Sequence, residues 1–182
     1  LAIWVGMTIL VSISKVHVDK NDFPHVRPHE YYFGRYLLFL LLSELQAMII
    51  VIGDLYVLGV QCKYPAAMFL VAAVTSLTFS LLIYSLTISF GDIGKAVAVV
   101  VMVIQIAGSG GTYPIEALPS FFRAVYIFFP FPYAINAMRE CIGGMYHQDL
   151  VIDLLKLLIF CAASLIIGLW IRIPFMGLNH FI

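Results

Sequence analysis

The chain has 182 residues, 63% of them hydrophobic and 11% charged, where an ordinary soluble domain carries roughly 45–50% and about 25%. A water-soluble globule of this size could not hide so much apolar surface, so lipid is the solvent that fits the composition. A formal net charge of +0 offers no basic surface for nucleic acid and no acidic tail for a cationic partner.

The first apolar stretch, Leu1 to Ser14, has no basic leader and no small-residue cleavage site. It reads as part of a span whose upstream portion is missing, not as a signal peptide. The next segment, His25 to Tyr36, mixes charge with aromatics. It suits either an aromatic and snorkelling anchor or a short interfacial helix that contacts a cytoplasmic partner through Arg27, Glu30 and Arg35.

Apolar runs at 36–60, 66–90 and 151–173 are each long enough to cross a hydrocarbon core of ~30 Å at about 1.5 Å per residue. Ala96 to Ala107 is shorter, rising only about 18 Å before it meets Gly108-Ser109-Gly110-Gly111. It needs the Asp92–Lys95 turn and part of the glycine cluster to cross. Pro114, Pro119, Pro130 and Pro132 then cut an apolar and aromatic segment into pieces too short to span separately. Residues 113–147 are therefore expected to form a re-entrant or interfacial helical hairpin turning at Phe129-Pro130-Phe131-Pro132. Broken backbone survives at membrane depth only where protein or a wet cavity covers it, so the hairpin should pack on the bundle. The expectation is one all-α, polytopic transmembrane domain over 1–182, with about five spans and the hairpin before the last.

Side assignment follows Lys and Arg in short loops. When the spans alternate, Lys15, Lys20, Arg27, Arg35, Lys95 and Arg172 fall on one side, and Lys63, Arg123, Arg139 and Lys156 on the other. The first group marks the cytoplasmic side, which leaves the hairpin facing outward.

Polar residues inside the apolar segments are the candidate sites. Glu44, Gln46 and Asp54 lie within one span, where ionisable groups cost about 2.5–3.5 kcal/mol on insertion scales and so face the bundle or a wet cavity. Glu44 and Asp54 fall on different faces, against a joint carboxylate site; helix–helix hydrogen bonding and a substrate path are both open. Ala72, Ser76 and Ser80, with Ser85 and Ser89, make small-residue stripes that favour close helix packing. Gly108, Gly110 and Gly111, with Pro114 and Glu116, mark the hairpin entry, and Asn136, Arg139 and Glu140 fall on adjacent turns of its second helix. Those last groups suit an ion-pair network at the interface or a gate over a pathway.

Catalysis finds no support. The glycine cluster lacks the Lys-Ser/Thr of a phosphate-binding loop, and Ser109 has no partner base, since His147 and His180 fall outside the spans on opposite sides. No cofactor or metal is expected. Cys62, Cys141 and Cys161 show neither zinc spacing nor disulfide density and read as small apolar fillers, with Cys62 and Cys141 a conceivable extracellular pair.

The stretches Gly53-Asp54-Leu55 with Gly59-Val60-Gln61, Gly91-Asp92-Ile93-Gly94-Lys95-Ala96, and above all GSGGTYPIEALPSFFRAVYIFFPFPYAINAMRECIGGMY from Gly108 to Tyr146 resemble the C-terminal membrane domain of the phage infection protein (YhgE/Pip) family. The likeness covers about Phe39 to Ile173. It implies a multi-pass bacterial plasma-membrane protein related to the membrane domains of type-2 ABC exporters, with a further span and a large extracellular domain upstream. It also implies a coupling helix at 25–36, a re-entrant helix pair at 113–147, and a homodimer served by a separate cytoplasmic ATPase. The rival implication is a membrane anchor that presents an extracellular domain to phage or to type VII secretion proteins.

Overall fold

The computed structural model describes residues 1–14, 16, 28–111, 117–144 and 148–171. Within them the chain forms seven α-helices: α1 (Ala2–Ile13), α2 (Pro28–Ile52), α3 (Pro65–Phe90), α4 (Asp92–Gly108), α5 (Ser120–Val125), α6 (Phe131–Gly143) and α7 (Asp149–Ile166). Two of them run on as π-helical turns, α2 through Gly53–Val57 and α7 through Ile167–Ile171. Among the described residues three helical stretches are long and apolar enough to cross a membrane: His29–Val57, Pro65–Phe90 and Asp149–Trp170. Helix α1, at 12 residues, rises only about 18 Å.

Helix α3 is the central post. It packs against α1, α2, α4, α6 and α7, and 56% of its most apolar window is buried against 28% for each of the other two long helices. Pro65 starts it, at a position where a missing N–H costs nothing. Gly91 stops it with φ +61, a backbone state that L side chains resist, and α4 begins at the next residue. Gly94 completes the tight reversal: a Cβ there would run into the Leu86 carbonyl. In the first turn of α4 the Lys95 ammonium lies 2.9 Å from Asp92 and holds that carboxyl below its ordinary value. Asp92 is almost fully exposed, so the pair adds little stability.

The bundle has two ends. At one, which we call the Tyr32 end, the start of α2 meets the ends of α3 and α7. The Tyr32 hydroxyl bonds Ser85 at 2.7 Å, Ser89 donates to the Ile167 carbonyl at 3.2 Å, and Gly168 leaves room for the Tyr32 ring. At the other, the Tyr64 end, the Tyr64 N–H donates to the Cys141 carbonyl at 3.1 Å and the Lys63 side chain covers Gly144. Cys62, Cys141 and Cys161 are free thiols, and the Cys62 thiol donates to the Cys141 carbonyl at 3.2 Å.

Between the ends lies a buried aromatic knot. Trp4 sits edge-on to Phe79 at 5.1 Å and to Phe131 at 5.3 Å, Phe79 and Phe131 stack at 5.0 Å, and the Trp4 indole N–H donates to the Ala98 carbonyl at 3.2 Å. One side chain of α1 thereby binds α3, α4 and α6. Lipid provides no hydrophobic drive for helices to associate, so such packing and interhelical hydrogen bonds hold the bundle.

Two features differ from the sequence reading. The span expected at 36–60 starts earlier: α2 runs without a break from Pro28, and Tyr32 and Tyr36 are buried. Residues 28–36 are thus the first turns of a membrane-length helix and not a separate interfacial helix, because Tyr32 and Tyr36 have hydroxyl partners on α3. The small-residue stripe on α3 also does more than admit close approach. Ser76 bonds Ser43 at 2.7 Å and Ser80 bonds Tyr36 at 3.1 Å, which with Tyr32–Ser85 makes a hydroxyl seam along α2 and α3.

Two substitutions test this packing by reversible unfolding in mixed micelles. Trp4→Ala, which opens a void in the knot, is expected to cost about 3–5 kcal/mol, whereas Trp4→Phe, which loses chiefly the hydrogen bond, costs about 1 kcal/mol. Gly168→Val overpacks the Tyr32 contact and is expected to cost about 1–3 kcal/mol, with a substantial part recovered in the double variant that also carries Tyr32→Ala.

Candidate functional site

The hairpin places the site. Helix α6 starts at Phe131, whose ring stacks on Phe79, the fifteenth residue of α3 counting from Pro65. At 1.5 Å per residue that lies about 21 Å from the Tyr64 end, so the hairpin tip reaches the middle of the bundle. From there α6 climbs back until Gly144 meets Lys63 at the Tyr64 end. The turn falls at Phe129–Pro130, where the sequence put it. The other arm is α5 with the 3-10 turn Tyr126–Phe128, and Phe122 fills the space left by Gly108 at the end of α4.

Breaking a helix inside the bundle exposes carbonyl and N–H groups that need partners. Arg139 of α6 donates from Nη2 to the Gly110 carbonyl at 2.7 Å, beyond the end of α4. Gln105 of α4 accepts from the Phe131 N–H at 3.2 Å, at the start of α6. Gly110 itself has φ +71, and a Cβ on Gly111 would press on Ile135 at 3.1 Å. The glycine cluster therefore lets α4, α5 and α6 meet closely while Arg139 and Gln105 tie their ends together.

On the outer side of α6 is a mixed-charge groove of about 350 Å³, lined by Asn136, Arg139, Glu140, Asp149, Ile152, Asp153 and Lys156. Helix α7 supplies its far wall. Asp153 is 7% exposed and lies 3.6 Å from Lys156. The Lys156 ammonium also sits 4.8 Å over the Tyr133 ring, and the Tyr133 hydroxyl donates to the Ile127 carbonyl at 2.9 Å. A carboxylate and an ammonium are thus held in fixed places between two helices, near the Tyr64 end.

The sequence candidates separate into groups. Asn136, Arg139 and Glu140 come together with the groove, and Gly108, Gly110 and Gly111 with its supporting turn. Glu44, Gln46 and Asp54 do not line it. Gln46 donates to the Ala2 carbonyl at 2.8 Å, in space that Gly6 leaves open. Glu44 is half-buried, next to Ser43, which bonds Ser76 of α3, and Asp54 lies in the π-helical turn that ends α2. Gln46 is thus a link between α2 and α1. Glu30 is exposed and Arg35 half-buried at the Tyr32 end, with the Arg35 guanidinium 5.9 Å over Phe39. Arg27, Pro114 and Glu116 lie outside the described residues.

Sequence reasoning used Lys156 only as a charge marking the hairpin side and did not single out Asp149 or Asp153. Their spacing of four and three residues puts them on one face of α7, and that periodicity was the available signal. Nothing in the sequence shows that α6 lies opposite.

Residues 23–170 match the ABC-2 family transporter protein family. Among curated proteins, the uncharacterized protein YhgE of Bacillus subtilis (strain 168) is 30% identical over 115 residues, covering 63% of this chain and 15% of the relative's own length. No solved structure matches. The family match takes in α2 through α7, all three membrane-length helices and the hairpin between them. The chain belongs to the ABC-2 transporter family, as a YhgE-like, multi-pass plasma-membrane domain.

Proposed function

We propose that the domain is a permease that exports a hydrophobic or envelope-related substrate, driven by a separate cytoplasmic ATPase and working as a homodimer. The observation that carries this reading is the mixed-charge groove beside a hairpin whose second helix starts at mid-bundle, on Phe79, and ends against Lys63. Such a groove can hold a polar head while the apolar remainder stays in lipid, which a passive anchor does not need. Family membership supports a transport role in general, and the substrate class comes from the groove.

On this reading the Tyr32 end is cytoplasmic. Force from the ATPase enters through the start of α2, at Arg27, Glu30 and Arg35. Because α2 is continuous from Pro28 and its Tyr32 and Tyr36 are bonded to α3, a push on that end moves α2 and α3 together. The groove end is then exterior.

A second reading is favoured by one observation, the small share of the Bacillus subtilis relative that this chain spans. There the domain anchors and positions a much larger protein that engages phage or a type VII secretion system, without transport.

Capture of an ATPase separates the two. With Arg27→Glu and Arg35→Glu combined, the permease reading predicts that the ATPase co-purified in mild detergent falls to less than about a tenth, a loss of roughly 1.4 kcal/mol or more in binding. ATP hydrolysis by the captured complex falls with it. The anchor reading predicts that no ATPase is retained by the wild-type protein.

A further inference from the structure

We propose that the groove between α6 and α7 is a binding site for the headgroup of a zwitterionic, amine-bearing phospholipid, with an acyl chain laid along α7. The charges select the class. Arg139 and Glu140 of α6 and Asp149, Asp153 and Lys156 of α7 line one cavity, with Asp153 and Lys156 3.6 Å apart on the α7 wall, so a purely anionic head would meet three carboxylates and a purely cationic one two cations. A head that carries both an ammonium and a phosphate answers both sets. The buried Asp153 carboxylate is the partner for the ammonium, and Lys156, held over Tyr133, is the partner for the phosphate. Arg139 is committed in part to the Gly110 carbonyl and serves to fix that wall.

The lipid tail has its own track. Ile152 lines the groove, and Leu155, Ile159 and Ile166 follow it at spacings of three, four and seven residues, on one face of α7. All four are exposed, Ile159 to 67%. The polar cavity therefore opens onto a continuous apolar stripe running toward the Tyr32 end. A soluble zwitterion would leave that stripe unused, which is why a lipid is the occupant. The inference concerns occupancy and holds whether or not the bound lipid is moved.

The test uses the purified protein in nanodiscs of equal phosphatidylethanolamine and phosphatidylglycerol, released into mild detergent, with the retained lipid counted by native mass spectrometry. Phosphatidylethanolamine is expected to be enriched at least about fivefold over phosphatidylglycerol, equivalent to roughly 1 kcal/mol of preference. Asp153→Asn and, separately, Lys156→Gln are expected to return the ratio to that of the bilayer, while Asp92→Asn, remote and exposed at the Tyr32 end, keeps the enrichment. A bilayer ratio on the wild-type protein overturns the proposal without any variant. So does enrichment unchanged in both groove variants, or displacement of the lipid by an equal concentration of soluble phosphoethanolamine.

Discussion

A helix that ends inside a membrane protein leaves carbonyls and N–H groups where no bulk water can reach them, and the build of the hairpin answers that constraint. Helix α4 stops at Gly108 and α6 starts at Phe131, both short of the Tyr64 end. Arg139 and Gln105 meet the demand, one donating to the Gly110 carbonyl and the other accepting from the Phe131 N–H. Both side chains come from helices adjoining the break, so the hairpin supplies the partners that its own existence requires. Without α3 behind it the arrangement could not stand, since the ring of Phe131 rests on Phe79.

The same economy runs through the rest of the interior. Several buried hydroxyls on α3 find partners on α2 or α7, as Ser76 does on Ser43, Ser85 on Tyr32 and Thr78 at the Leu157 carbonyl and the Cys161 sulfur, while that of Thr75 has none among the described residues. Single interhelical hydrogen bonds in membranes average only about 0.6 kcal/mol. A seam of them fixes register, however, because sliding α2 by one turn would part several pairs at once. Mixed charge gathers where the hairpin opens a groove, and the apolar outer faces of α2 and α7 are left to lipid.

Much of this was legible in the sequence because the bilayer makes length and polarity decisive. Three long apolar runs gave three membrane-length helices, and the prolines at 119, 130 and 132 marked the hairpin arms and their turn. The start of α2 was not legible: Arg27, Glu30 and Arg35 among aromatics look interfacial, yet Tyr32 and Tyr36 turn inward to serines more than forty positions away. The groove was half legible. Asn136, Arg139 and Glu140 stood out on α6, but Asp149, Asp153 and Lys156 became a site only when α7 was laid beside it, and pairing between distant helices has no local signature. Trp4 shows the same limit, since nothing around it in sequence announces the Ala98 carbonyl or Phe131.

The functional picture follows from where the hairpin sits. A post, α3, spans the two ends; one end gathers the start of α2 with the close of α7, and the other holds a cavity with fixed charges. If both arms of the hairpin enter from the Tyr64 end, the groove belongs to one face of the membrane. The most direct measurement is sided labelling of single cysteines at Ser120 and Gly143 in a protein with Cys62, Cys141 and Cys161 replaced by serine, using a membrane-impermeant thiol reagent on intact cells and on inverted vesicles. The account predicts that both positions react from the same side, opposite to a cysteine at Asp92. Reaction of Ser120 and Gly143 from opposite sides would mean that this segment crosses the membrane, and would contradict it.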